Sequence, residues 1–283
     1  MKKLFAILTM VLICLSSAYS IKNDPNKEVK EGLARVEQQT NGDFWFGGIK
    51  YQLNSAEKTA MVIYQGGTTS GNKVIPETLV YNGVTFRVTS IDHDAFSRCD
   101  NLTSVTIPNS VTSIGMRAFC GCISLKSITL PSTITSIKSE TFKYCHSLAS
   151  IKIPEGVTSI ETYAFNECLS LTSIIIPESV TSMGSAVFIS CRALTSVVLP
   201  KNITKIESGT FEGCALKSIT IPNRVTSIGS DAFYYCEGLT SVVIPNSVKT
   251  IERGAFSRCI NLKSVTIPNS VETIGVAAFQ NCI

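Results

Sequence analysis

Charge is scarce in this chain. Charged residues make up 16% of it, as 25 Lys+Arg against 21 Asp+Glu. No basic run stands out, and losing Lys2 and Lys3 with a leader leaves 23 against 21, a net of +2. Affinity for nucleic acid rests on concentrated phosphate-neutralising charge, so nucleic acid is not an expected partner. Histidine is scarcer still: His93 and His146 are the two present, and neither lies in a nucleophile or metal motif. A phosphate-cradling glycine loop is missing too. Gly115, Gly184, Gly229 and Gly275 fall at one recurring bend, where other repeats carry Lys138, Glu161, Glu207 and Glu252. Those charges read as solvated edge residues rather than an acid pair. The expectation is a non-enzyme, with no catalytic residue, no metal site and no cofactor. Low polarity, with 44% hydrophobic residues, excludes a disordered chain.

The first twenty residues read as a secretory signal. Lys2 and Lys3 form a positive start, Leu4 to Leu15 an apolar stretch too short to span a bilayer well, and Ala18 and Ser20 place small residues for cleavage after Ser20. A lipoprotein signal built on Cys14 fits less well, because Ile13 stands where a small residue is wanted. No later stretch is long and apolar enough to cross a membrane.

What the chain has in abundance is self-similarity. Leu102, Leu125, Leu148, Leu171, Leu194, Leu216, Leu239 and Leu262 recur every 23 residues, with one step of 22 at Cys214-Ala215-Leu216. Phenylalanines keep the same beat from Phe96 to Phe279, cysteines follow three residues after each Phe from Cys99 to Cys282, and prolines run from Pro108 to Pro268. Four rows in one register define a stacked repeat, in which each unit buries its apolar face on its neighbours. Within a unit, Leu102 to Ile107 alternates as a short strand, with Val105 and Ile107 on the core face and Ser104 and Thr106 outward. Pro108 ends the ladder for want of an N–H. Val111 and Ile114 supply a second apolar pair, and Ala118, Phe119 and Cys122 return the chain to the core.

The unit L-x-x-[VI]-x-[IL]-P-x-x-[VI]-x-x-I-x-x-x-A-F-x-x-C resembles the BspA-like, or treponemal-type, leucine-rich repeat, over about Ile75 to Cys282. It departs from the commoner leucine-rich pattern, because the slot that would hold a ladder asparagine carries Ser110, Thr133, Gly156, Ser179, Asn202, Arg224, Ser247 and Ser270. The resemblance implies a β-rich leucine-rich-repeat solenoid: short parallel strands on one face, a mostly irregular convex side with short strands, and a small N-terminal β-cap. The expected organisation is a signal peptide at 1–20, a linker at 21–40, a β-cap at 41–74 and the solenoid at 75–283. The solenoid opens on a degenerate repeat at 75–101, followed by about eight repeats of 22–23 residues.

In the cap, Phe44, Phe46, Ile49, Tyr51 and Leu53, then Met61 and Ile63, suggest two strands joined around Asn54 to Thr59. Residues 66–71 read as a loop, and Asn82-Gly83 is a hairpin signal. After Cys282 the sequence shows no polar cap, which fits an open edge, an edge that meets a partner, or a piece of something longer.

Ten cysteines follow the leader. One per repeat at one position reads as a ladder of reduced core thiols, since parallel side chains aim alike and miss the disulfide dihedral. Cys120 stands outside the row, and a lone Cys120-x-Cys122 is weak as a metal or redox site. His146, in the loop after Cys145, reads as solvated.

Packing explains the rows, so binding belongs to exposed positions that vary. The outward strand slot runs Thr106, Thr129, Lys152, Ile175, Val198, Thr220, Val243, Thr266. Lys152, Ile175, Val198 and Val243 break its threonine pattern and are candidate protein-binding residues, although β-branched residues also favour strands for their own sake. Tyr144, Tyr163, Tyr234 and Tyr235, beside the Phe row, form a second candidate group; partial burial over the Phe spine is the simple alternative. The expected function is a secreted or cell-surface module binding proteins, with adhesion to extracellular-matrix, host or neighbouring-cell proteins implied by the family resemblance. The alternative is a structural cell-envelope spacer or assembly component.

Overall fold

The computed structural model describes residues 34–35, 38–40 and 43–282. The expected signal peptide lies outside the described residues, as does most of the expected linker. Every regular element among the described residues is a β-strand.

Each repeat makes one coil with three sides. The first side is the strand read from the sequence in most coils; at 150–152 and 218–220 the chain follows the same path without forming a strand. Ser104–Thr106 pairs in parallel with Ser127–Thr129, Ser173–Ile175 with Ser196–Val198, and Ser241–Val243 with Ser264–Thr266, like residue on like residue. The second side is a two-residue strand in the next apolar pair, as at Ser136–Ile137, Ser159–Ile160 and Ser182–Met183, again parallel. Lys205 pairs with Ser227 across the 22-residue step, so the missing residue leaves the register intact.

A turn joins the two sides. The Val111 N–H donates to the Pro108 carbonyl at 3.1 Å, and the same bond recurs at Val157–Pro154, Val180–Pro177, Val225–Pro222 and Val248–Pro245. This accounts for the missing asparagine ladder. The slot lies inside a turn closed by its own backbone, and Ser179 Oγ adds a bond of 2.6 Å to the Val157 carbonyl of the preceding coil.

The third side carries the Phe and Cys rows. The N–H groups of Arg117, Phe119 and Gly121 all donate to the next coil, at the carbonyls of Ser139 (3.1 Å), Thr141 (3.0 Å) and Lys143 (2.8 Å). Alternate N–H groups close short turns, such as Cys122 on Phe119 at 3.2 Å. This path puts the residue two before each Phe, and the residue before each Cys, at positive φ. Four of these positions are glycine, namely Gly121, Gly209, Gly213 and Gly254; the others include Arg98, Tyr144, Tyr163 and Tyr235. Glycine therefore gave no usable cue to the conformation.

At the bend before each Phe, glycine answers a different need. A Cβ on Gly184 would sit 2.5 Å from the Thr162 backbone nitrogen, and one on Gly275 2.4 Å from that of Arg253. Each such glycine follows a coil that carries a carboxylate in the same slot: Asp92 before Gly115, Glu161 before Gly184, Glu207 before Gly229 and Glu252 before Gly275.

Between the three sides lies one core running the length of the stack. Its spine is the Phe row, from Phe96 to Phe279, with successive ring centroids 4.9–5.7 Å apart and planes within 20° of parallel. Phe142 and Phe165 belong to this one stack, at 5.4 Å.

The N-terminal sheet contains β1 (Ala34–Arg35), β2 (Gln38–Thr40), β3 (Asp43–Phe46), β4 (Ile49–Asn54), β5 (Thr59–Val62), β7 (Thr78–Tyr81) and β8 (Val84–Ile91). Two of its strands thus lie inside the stretch read as a linker. The first aromatic stretch is a hairpin rather than one strand: β3 pairs antiparallel with β4, and Gly47 and Gly48 turn between them at φ of 57° and 68°. Asn82 and Gly83 turn β7 into β8, both at positive φ, as their pairing signalled. A further strand, β6 (Gly71–Val74), pairs parallel with Leu102–Thr106, so the first coil opens on a strand ahead of Ile75. β5 lies parallel to β8, with Val62 opposite Ile91, and Ile91 is in turn opposite Ile114. The N-terminal sheet therefore continues the solenoid's second side and covers the first coil's apolar edge, a place that would otherwise leave strand groups unpaired.

Candidate functional site

The eight candidate residues fall on two sides of the solenoid. On the first strand side, Lys152, Ile175, Val198 and Val243 all point outward. Ile175 is 69% exposed, Val198 52% and Val243 69%, while Ile174, Val197 and Val242 beside them in sequence are buried. The alternation of the strand makes this inevitable: once one face fills the core, the next side chain has nowhere to go but solvent. Ile175 sits directly opposite Val198 in the parallel pair. Lys152 joins Ile175 along a shallow groove of about 340 Å³. Val243 lies two coils beyond Val198, past Thr220, and stands apart from that patch.

The four tyrosines lie on the turn side, in two clusters, each held by one cation. The Lys143 ammonium lies 5.1 Å from the ring centroids of both Tyr144 and Tyr163. The Arg258 guanidinium lies 5.9 Å from Tyr234 and 6.0 Å from Tyr235. Cation–π contacts of this kind orient the rings without burying them: Tyr163 and Tyr235 remain exposed, while Tyr144 and Tyr234 are half-buried. Lys143 also pairs with Glu140 at 3.2 Å. Burial works to lower its pKa, but the bond and charge of Glu140 prevail and hold it above its ordinary value.

Beside the second cluster lies an open recess of about 710 Å³ that no residue motif announced. Arg192, Glu212, Tyr234, Tyr235 and Glu237 are among the residues that line it. Cys214 and Ala215, where the repeat is one residue short, belong to its lining. Burial, with Asp231 nearby, pushes the Glu212 carboxyl above the ordinary carboxylate range. The single signal in the sequence was the 22-residue step.

Near the N-terminal sheet, Arg117 forms a two-pronged pair with Asp94, Nε to Oδ1 at 2.9 Å and Nη2 to Oδ2 at 2.8 Å. Cys120 lies close by, half-buried, its thiol raised first by burial and then by Glu140. Cys122, by contrast, is fully buried, and its sulfur donates to the Phe96 carbonyl. His146 is partly exposed, as a loop side chain, with its Nε2 alone shielded, 4.0 Å from Glu167 Oε2, and its ring edge-on to Tyr144. Among the described residues, no three His, Cys, Asp or Glu side chains are grouped to hold a metal ion. No helix among them is long and apolar enough to cross a membrane.

Residues 83–194 and 181–283 match the profile of the BspA type leucine rich repeat region, in six copies. No curated protein matches the chain. Among solved structures, a leucine rich cell surface protein from Faecalibacterium prausnitzii is 33% identical, with a TM-score of 0.68 over 86% of this chain and 75% of that one. A leucine-rich repeat protein from Bacteroides ovatus shares the fold at 24% identity and TM-score 0.59, over 83% and 91% of the two chains. Another from Eubacterium ventriosum does so at 20% and 0.53, over 83% and 92%.

Proposed function

Since the chain belongs to the BspA-type leucine-rich repeat family, we propose that it is a secreted or surface-exposed module that binds other proteins, and that adhesion to extracellular-matrix or neighbouring-cell proteins is its role. The observation that carries this reading is the Ile175–Val198 pair. Two apolar side chains, more than half exposed, lie side by side on a two-stranded parallel ladder. Both occupy a slot that four of the eight coils fill with threonine. A rigid backbone that presents apolar side chains loses little entropy when a partner covers them. Lys152, at the edge of the same patch, supplies a charged rim. The cell-surface description of the Faecalibacterium relative agrees with export through the leader that ends at Ser20. Tyr144 and Tyr163 extend the candidate contact to the turn side, and Val243 is a separate outlying position.

Solid-phase binding to extracellular-matrix and cell-surface proteins tests the reading. Saturable binding that falls at least tenfold in an Ile175→Asp, Val198→Asp double variant is the expected outcome. Absence of saturable binding to any such protein, with folded material, counts against adhesion. Sequencing the N-terminus of exported protein tests the leader, with Ile21 expected first.

A further inference from the structure

We infer that the recess at the short coil is a carbohydrate-binding site for a neutral mono- or disaccharide, distinct from the protein-binding patch on the strand side. In neighbouring coils the loop reads Cys191-Arg192-Ala193-Leu194 and Cys236-Glu237-Gly238-Leu239; between them it reads Cys214-Ala215-Leu216. Where the flanking loops carry Arg192 and Glu237, the middle loop carries only Ala215 between its Cys and Leu. Coils repeat at about 4.8 Å, and the recess is lined by residues of three successive coils, from Ser190 to Gly238. The second side keeps its register across the short coil, Lys205 opposite Ser227 and Ile206 opposite Ile228, while no first-side strand forms at 218–220. Gly238 lies against the shortened loop: a Cβ there would sit 2.8 Å from the Leu216 carbonyl oxygen and 2.9 Å from that of Ala215.

The walls fit a polyhydroxyl ring better than an ion. Arg192 donates hydrogen bonds only, Glu212 and Glu237 when ionised accept only, and the two tyrosine hydroxyls do both. Sugar hydroxyls are each donor and acceptor and can meet all three kinds. Tyr234 and Tyr235, tilted 42° to each other with centroids 6.0 Å apart, offer aromatic faces against which the C–H face of a pyranose can lie. Arg258 orients both rings. A volume of about 710 Å³ lies within the range for small-molecule sites and is far larger than one basic side chain would fill. Glu212 has no cation within ion-pairing distance among the described residues, so its carboxylate remains available to a ligand hydroxyl.

Calorimetric titration of the full chain with maltose, cellobiose, lactose and N,N′-diacetylchitobiose, with a lysine-rich peptide alongside, tests the inference. Binding of at least one disaccharide is expected. It should weaken about tenfold or more in Tyr235→Ala and in Glu212→Gln. It should be lost when an arginine inserted between Cys214 and Ala215 restores the 23-residue loop. The insertion reproduces the loop of the preceding coil; should it fail to fold, the two substitutions carry the test. Binding of none of the four sugars, binding unmoved by Tyr235→Ala and Glu212→Gln, or binding of the lysine-rich peptide in their place would each overturn the proposal. The Ile175→Asp, Val198→Asp variant should leave sugar binding intact, so failure of the adhesive reading and failure of this one remain distinguishable.

Discussion

The sulfur of Cys122 donates a hydrogen bond to the carbonyl oxygen of Phe96, 3.1 Å away and one coil earlier. The same bond recurs from Cys145 to Phe119, Cys168 to Phe142, Cys191 to Phe165, and on to Cys282 and Phe256. The Phe96 carbonyl already accepts the Cys99 N–H at 3.0 Å; the thiol takes its second lone pair. Cysteine suits the slot because it packs as a small apolar side chain and still carries a weak donor. The ladder thus ties each coil to the one before it through bonds between unlike groups, and the ten cysteines of the described residues are all free.

Thiol reactivity should follow burial. Burial pushes the thiols of Cys122, Cys145, Cys168, Cys214 and Cys236 up, and that of Cys259 to about 12, so thiolate is negligible at neutral pH. Alkylation of the native protein, read by mass spectrometry, should label Cys120 and Cys282 alone, and slowly. Denaturant should release the other eight. A disulfide found in the unreduced protein would refute the ladder.

Removing one ring from the spine should be costly. Phe165 is fully buried and stacks on Phe142 at 5.4 Å and on Phe188 at 5.5 Å. Phe165→Ala is expected to lower stability by about 3–5 kcal/mol in urea titration. Because each coil contacts only its neighbours, it should also broaden the transition as the two halves uncouple. An unchanged midpoint would mean the rings do not share one core.

The bend glycines should not tolerate a methyl group. Gly184→Ala brings Cβ against the Thr162 backbone, and the expected loss is about 1–3 kcal/mol of overpacking strain. Thermal denaturation reads it. A neutral result would show that adjacent coils separate more freely than the ladder bonds suggest.

Acid should act on the Glu161 bridge. Burial raises the pKa of this carboxyl, but hydrogen bonds from Lys138 Nζ and from Ser139 N and Oγ outweigh it and hold the pKa below its ordinary value. A depressed folded pKa contributes stability that is present above the unfolded value and lost as pH falls through the folded one. Glu161→Gln should therefore destabilise the protein at pH 7, and the difference from wild type should vanish once pH falls below the folded value. A difference that persists unchanged into strong acid would place the effect in packing instead.

The repeat itself was legible in the sequence, because its cause is periodic. Stacking demands that like side chains meet like, so Leu102, Phe119 and Cys122 had to recur at a fixed step, and a fixed step can be read without coordinates. The alternation Ser104-Val105-Thr106 likewise fixed which residues face outward, and with that the exposure of Ile175, Val198 and Val243. What depended on contacts between coils was invisible. The Cys–Phe carbonyl bonds, the positive φ at Tyr144 and Arg98, and the close approach of each bend glycine to the backbone one coil earlier all arise from groups more than 20 residues apart, or from backbone paths that no residue type marks. The sequence alone recorded one residue missing after Cys214. Only the stacked coils turned it into a recess, because a deletion in a loop becomes a space when the coils on either side hold their positions.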